Sequence, residues 1–434
     1  MFPIILIETS KKNYNQYDII KDINNNYNLY FKRINQQLDI IVYNNFKFKE
    51  KFNFKNVSIW FSNNLSERNI QKGNLINNLL ILEFLKIKIK KRIKIKTVKT
   101  DSRALLKSIK ILNLECNLLY SEFNLDTVKK NFFLLSSFIF FLKVIIKSIL
   151  INSNKSLKYF LSKSNIIFLT PFEAENNNYL ASISNFNNKI EKFNNSKIIH
   201  IQYLSNIDHK YKKIVPKNFP LKFNKEKIFV IFELINFFEV LFCFFIYLKF
   251  YFISNKYLNE ISLYFENTKK KHLYFAIHQE IKDSFKGSIL FQNILYIYIF
   301  NKIKNYSLSN SKIFYNFENQ YWEKILLQVF KDKNYCKFGI IDAPPKLWDS
   351  NLYMKNNRLF DVLYPNYILY SSPVYAKLIK PTNSFIKKKL ILIESFKYKK
   401  NKSNRKISNN KILIFGDGNK LSHNLLIQIV LKLK

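Results

Sequence analysis

Small and flexible residues are scarce in this chain: its 434 residues include 5 Gly, 9 Pro, 3 Cys and 2 Met. With so few glycines there is no Gly-rich phosphate loop. The one Gly-x-Gly turn, Gly416-Asp417-Gly418, is too short to count as a dinucleotide fingerprint. Cys116, Cys243 and Cys336 lie far apart and form no CxxC pair. No disulfide framework or zinc site is readable, which fits a reducing, cytoplasmic compartment. The five histidines, His200, His209, His272, His278 and His423, have no metal-ligand spacing, and no Asp-x-Asp pair exists. We therefore expect no metal site and no cofactor. Acidic residues are scarce too: 30 Asp and Glu against 71 Lys and Arg leave a net charge of +41.

A charge of that sign suits a nucleic-acid partner or an anionic membrane surface. The chain is also crowded with Lys, Asn, Ile, Phe and Tyr, the residues that AT-rich codons supply, and it has no nucleic-acid-binding motif. The charge reads as codon bias rather than nucleic-acid binding, and a peripheral contact with an anionic inner membrane stays open. The start, Met1-Phe2-Pro3-Ile4-Ile5-Leu6-Ile7-Glu8, lacks a basic n-region and reads as a first strand, not a signal peptide.

What is present is an alternation of apolar strands and helical stretches. Strands are expected over Val57 to Phe61, Lys88 to Lys96, Asn165 to Leu169, Lys197 to Leu204, Lys312 to Phe317, Lys337 to Ile341, Tyr367 to Tyr370 and Lys389 to Ile393. A helix is expected from about Gly73 to Leu85. The Lys/Ile alternation of Lys88 to Lys96 is a half-buried strand signal, its lysines forming a solvated face or a basic stripe. The implied class is α/β: a Rossmann-like, mainly parallel sheet with helices on both faces. Ligands then sit at the carboxyl ends of the strands, after Phe61, Leu169, Phe317 and Ile341.

Two apolar stretches could pass for membrane spans. Phe132 to Ile151 carries Lys143 and Lys147, and Ile228 to Ile253 carries Glu233, Glu239 and Lys249. Each charge near a bilayer centre costs about 2.5–3.5 kcal/mol. Both stretches therefore read as buried helices, with membrane-surface docking as the alternative. From Lys397 to Asn410 the chain is polar and basic, as a linker is; the strand Lys411 to Phe415 and a helix from about Leu421 to Leu433 follow.

Six segments, in order, resemble a family of bacterial surface-carbohydrate biosynthesis proteins. They are Ile59-Trp60-Phe61-Ser62 through Glu67-Arg68-Asn69, Asp283 to Ser288, and Phe317-Glu318-Asn319-Gln320-Tyr321-Trp322-Glu323. The others are Leu347-Trp348-Asp349 through Tyr353, Ile393-Glu394-Ser395-Phe396-Lys397-Tyr398, and the Gly416-Asp417-Gly418 strand. The third is similar to the family's Glu-Asn-Gln-x-Trp-Glu and is the most specific. The resemblance implies two Rossmann-like domains facing a cleft, as in GT-B glycosyltransferases, and sugar transfer in polysaccharide synthesis. The partners implied are a nucleotide-sugar donor and a glycan or lipid-linked acceptor. On this reading residues 1–396 form the first domain, with helical insertions at about 126–160 and 226–305. Residues 397–410 form a linker, and 411–434 begin a second domain that stops short. Where the family carries His-Ser-Thr, this chain has Ile341-Asp342-Ala343-Pro344-Pro345-Lys346.

Sugar transfer needs a base on the acceptor hydroxyl and positive or helix-terminal groups on the departing phosphate. The candidate catalytic carboxylates are Glu318, at a strand end, and Asp342, in the place of the missing His segment. Each has a plainer alternative: a helix-start acid for Glu318, a proline-marked turn for Asp342. Candidate substrate-binding residues are Ser62, Glu67, Arg68, Asn319, Gln320, Asp349 and Glu394. Glu67 and Arg68 could equally be a surface ion pair, Asn319 and Gln320 helix caps, and Glu394 a linker cap. Trp322 reads as core rather than as a sugar-stacking platform. A second reading is a non-catalytic relative that binds a glycan, a lipid-linked intermediate or a partner transferase.

Overall fold

The computed structural model describes residues 5–43, 50–62, 75–112, 115–120, 132–150, 155–171, 198–203, 228–267, 271–318, 320–332, 334–341, 363–370 and 389–393. The chain divides after Lys397, and every described residue belongs to the first unit.

That unit holds two substantial sheets. The smaller has the order β2-β1-β5-β6, from β1 (Ile5–Thr9), β2 (Asn13–Asn15), β5 (Ile95–Thr100) and β6 (Asn117–Tyr120). Here β1 runs antiparallel to both β2 and β5, while β5 and β6 are parallel. Helices α1 (Gln16–Asn25), α2 (Tyr27–Tyr43), α3 (Leu75–Lys90) and α4 (Arg103–Ile111) accompany it. All of Leu75 to Leu85 is buried, so α3 shows no polar face to mark its period.

Two expected strands fall differently. Lys88 to Lys90 end α3, Lys91 and Arg92 form a turn, and the strand begins only at Ile95. Arg92 makes that turn with φ 56°, a left-handed conformation. Alternating Ile and Lys satisfies a helix end as readily as a strand, so the pattern did not separate them. Val57 to Phe61 is likewise not a strand of the large sheet. Val57–Ser58 (β4) pairs antiparallel with Asn53–Phe54 (β3), and Ile59–Phe61 is a single 3-10 turn.

The larger sheet has seven strands: β7 (Ile166–Pro171), β8 (Ile198–Tyr203), β9 (Ile228–Val230), β10 (Lys312–Asn316), β11 (Cys336–Ile341), β12 (Tyr367–Tyr370) and β13 (Leu390–Leu392). Their spatial order is β13-β12-β11-β10-β7-β8-β9, and every pairing is parallel. The fold is thus mixed α/β, built on a parallel sheet compatible with a Rossmann-like arrangement. Taken in chain order, the strands run 3-2-1-4-5-6-7. The chain winds outward from β7 in one direction and, from β10, in the other.

One face of this sheet, with Ile167, Leu169, Ile199, Ile201, Ile313 and Tyr315, joins the main core. The other carries a smaller cluster around Ile166, Phe168, Ile340 and Leu369. There Phe168, Phe314 and Phe338 stack across three strands, with centroids 4.8 and 4.5 Å apart. The segments 172–197, 204–227, 342–362 and 371–388, which join the outer strands, lie outside the described residues, so cover on both faces is not read from them.

Between β6 and β7 come α5 (Phe133–Leu150) and α6 (Lys155–Lys163). Between β9 and β10 come a 3-10 turn (Ile231–Leu234), α7 (Phe237–Asn267), α8 (Lys271–Lys286) and α9 (Ser288–Tyr306). Helix α10 (Tyr321–Val329) joins β10 to β11. Gly287 separates α8 from α9. A Cβ there would lie 2.7 Å from the Asp283 carbonyl oxygen, so the tight junction needs glycine. By length and composition α7 could cross a membrane, although its Val240, Cys243 and Tyr247 are fully buried in the protein.

Candidate functional site

A parallel sheet whose strand order reverses leaves a crevice at the carboxyl ends of the two strands flanking the reversal. Here those strands are β7 and β10. The chain leaves β10 through Phe317, whose N–H donates to the Ile340 carbonyl at 2.8 Å and carries the pairing one residue further. Glu318 comes next and is exposed.

Glu323, in the first turn of α10, fixes the chain where it leaves β10. Its Oε1 accepts the backbone N–H groups of Glu318 and of Gln320, both at 2.9 Å. Gln320 is the N-cap of α10, so Glu323 supplies one half of a capping box. The carboxyl group is fully buried, and burial pushes its pKa up to about 8 against the lowering effect of those two N–H groups and of Lys324. The final carboxylate of the family-like segment is therefore internal structure, not a ligand contact.

Glu318 is oriented from its other side. Gln320 Nε2 donates to Glu318 Oε2 at 2.6 Å, and Trp322 Nε1 donates to Gln320 Oε1 at 3.0 Å. Trp322 is itself buried, its ring 6.0 Å from that of Tyr315, so the relay starts from a fixed point. An indole in the core thus holds an amide, and the amide holds an exposed carboxylate at the strand-order reversal. Beneath it Tyr315 is fully buried, and burial holds its phenol well above the ordinary value. Its hydroxyl has no hydrogen-bond partner among the described residues.

Helix α10 also connects to a small cavity. The Tyr321 hydroxyl donates to Gln292 Oε1 on α9. Gln292 lines that cavity with Phe140, Ile231, Phe232, Leu295, Tyr296 and Ile299. Ile231 and Phe232 follow β9 directly, so the cavity too lies toward the carboxyl edge of the sheet. Its wall is apolar apart from Gln292 and the Tyr296 hydroxyl, whose pKa burial raises.

Ser62 does not face a ligand. It is fully buried, and its carbonyl accepts Asn293 Nδ2 at 2.6 Å. Its hydroxyl and Asn293 Oδ1 are buried with no partner among the described residues. The apolar run before it explains the burial: Ile59, Trp60 and Phe61 all turn into the core. Trp60 stacks on Phe285 with centroids 5.4 Å apart and planes 12° from parallel. Two of the family-like segments thus meet as packing, Trp60 on Phe285, and just outside the segments Ser58 pairs with Gln328 of α10. Glu67, Arg68, Asn319, Asp342, Asp349 and Glu394 lie outside the described residues.

The sequence reading missed Glu323, Asn293 and Gln328. Glu323 had a usable signal, a Gln followed three residues later by Glu at a helix start; the other two had none. No group of three or more His, Cys, Asp or Glu able to hold a metal ion occurs among the described residues. His278, on α8, is lowered to about 4, first by burial and then by Lys282, Lys107 and Lys286. Comparison of the chain with known family models, curated proteins and solved structures gives no match.

Proposed function

We propose that this chain is a glycosyltransferase of surface-polysaccharide synthesis, built on a GT-B-like scaffold and moving a sugar from a nucleotide-sugar donor to a glycan or lipid-linked acceptor. The observation that carries the reading is the exposed Glu318, held by the Trp322–Gln320 relay at the reversal of strand order. A carboxylate there can take the proton of an acceptor hydroxyl as that oxygen attacks the anomeric carbon and the donor phosphate departs. Its orientation is settled before substrate arrives, so little ordering is left to the reaction. The order and spacing of the six family-like segments support the same reading.

The test is a donor panel. The full chain is screened with nucleotide sugars by thermal shift, and hits are assayed for transfer to lipid-linked and glycan acceptors. The Glu318→Gln protein should fold normally, because the side chain is exposed. It should lose turnover about a hundredfold or more. Turnover unchanged in Glu318→Gln would remove Glu318 from the chemistry.

A second reading, a non-catalytic glycan-binding relative, draws on Asp342-Ala343-Pro344 standing where the family has His-Ser-Thr. Saturable binding of a nucleotide sugar or glycan with no transfer to any acceptor would favour it.

A further inference from the structure

Helix α5 presents the wrong face to solvent. Leu135, Ile139, Leu142, Ile146 and Ile149 recur every three or four residues, with Phe138 next to Ile139, and each is exposed. A surface helix normally turns polar residues outward, and a continuous apolar stripe marks a contact face. Helix α7 does the same over its first half, where Phe238, Phe242, Phe245 and Phe252 are exposed, the first by 76% and the last two by 66%.

The two stripes adjoin. Phe141 of α5 stacks on Phe244 of α7 at 4.1 Å, and Phe138, one of the exposed row, leans on the same ring at 6.2 Å. Ser137 lies against Tyr247 and Phe141 against Phe244, so the helices run antiparallel. The other sides of both helices are packed in the protein: Val144 and Phe140 on α5, Val240, Cys243 and Tyr247 on α7. Tyr247 further donates its hydroxyl to the Lys286 carbonyl at 2.9 Å. The pair therefore lies along a surface with one face bound to its own domain, although α7 alone has the length of a span.

Charge identifies what covers the face. Residues 129–158, which contain α5, hold six lysines and no Asp or Glu. Among residues 237–252 of α7 the single acid is Glu239. It is engaged by Lys302 and by the Tyr298 hydroxyl, the latter at 3.0 Å. Lys249 and Lys256 are exposed, Lys249 in line with Phe245 and Phe252 and Lys256 one turn beyond Phe252. Exposed apolar stripes in segments rich in lysine and free of uncompensated acids are the pattern of helices lying in a lipid headgroup layer.

We propose that α5 and α7 together form a docking face that seats this chain on an anionic lipid bilayer, lying in the interface without crossing it. The proposal is independent of the transferase reading, and its test contains no sugar.

The test uses the full chain and two vesicle compositions: phosphatidylcholine alone, and equal parts of phosphatidylcholine and phosphatidylglycerol. The wild-type chain should sediment with the anionic vesicles and much less with the neutral ones, and salt should weaken the binding. Ile139→Glu and Phe245→Glu should each reduce binding roughly tenfold or more, since each removes one inserted apolar side chain and adds an anion. Both positions are exposed, so circular dichroism and melting should be unchanged. As a measurement that needs no loss of binding, a Phe242→Trp protein should be quenched by lipids brominated on the acyl chains beyond the wild-type level. Failure to bind anionic vesicles, binding that survives both substitutions, or no added quenching at position 242 would each overturn the proposal. Self-association lost with the same substitutions, without vesicle binding, would assign the face to a second copy of the chain.

Discussion

The side-chain amide of Gln328 pairs with both backbone groups of Ser58: its Oε1 accepts the Ser58 N–H at 2.9 Å and its Nε2 donates to the Ser58 carbonyl at 3.1 Å. The glutamine behaves as one more residue of a β-ladder. It ties the hairpin β3–β4 and the Trp60 turn to the helix that starts beside Glu318.

Replacing Gln328 with Leu would keep its bulk but leave a buried donor and a buried acceptor unpaired. Each costs about 1–3 kcal/mol, so we expect a loss of about 2–6 kcal/mol in urea unfolding. A loss under about 0.5 kcal/mol would mean that water or a neighbouring group replaces the amide.

Glu323 makes stability depend on pH. Its pKa is raised in the folded chain by burial, so the protonated acid is the form that folding favours. Its contribution is complete below the ordinary value of 4.5 and is lost as pH rises through about 8. Glu323→Gln keeps an acceptor oxygen for the Glu318 and Gln320 N–H groups and removes the titration. Denaturation midpoints measured across that window should fall with pH in the wild type and fall less in the variant. Parallel curves would assign the pH dependence to other groups.

Gly339, in β11, has almost no room for a side chain. An added Cβ would lie 2.9 Å from Phe317 Cβ and 3.1 Å from Pro365 Cγ. Gly339→Ala should therefore cost about 1–3 kcal/mol by overpacking. Phe317 immediately precedes Glu318, so the same change should disturb the turn, read as altered near-ultraviolet circular dichroism.

Gln320→Ala tests the relay. It removes the amide between Trp322 and Glu318 at a half-buried position, so stability should change by under about 1 kcal/mol. On the transferase reading, kcat should fall by about tenfold with little change in KM, because orientation is lost and binding is not. A change in KM alone would make Gln320 a binding group.

Legibility followed the strength of local patterns. Tyr367 to Tyr370 was readable to the residue, because a short β-rich run sits between polar segments. The parallel strands at 166–171, 198–203, 312–316 and 336–341 were readable within two or three residues. In the second sheet β1 was legible as a first strand in the opening run, but its pairing was not, since no local signal says which strand β1 will pair with. Lys88 to Lys96 misled because its Ile/Lys alternation suits a helix end as well as a strand, and α3, buried all round from Leu75 to Leu85, offers no amphipathic period to extend into it. At the site, Glu318 was legible as a strand-end carboxylate, and the relay behind it was not. Ser62 was misjudged because its polarity hid a neighbourhood of Ile59, Trp60 and Phe61.

The pairing of β7 with β10 has a consequence for how the chain is made. Ile166 lies beside Lys312, 146 positions later, with two strands and three long helices between them among the described residues. Translation delivers about 5–20 residues per second, so β7 waits on the order of ten seconds or more for its central neighbour to emerge. During that interval β7 has β8 on one side only, and an unpaired row of backbone groups on the other. Nascent chains of this protein should therefore depend on holding factors most heavily before residue 316 clears the ribosome, and released fragments ending short of it should aggregate.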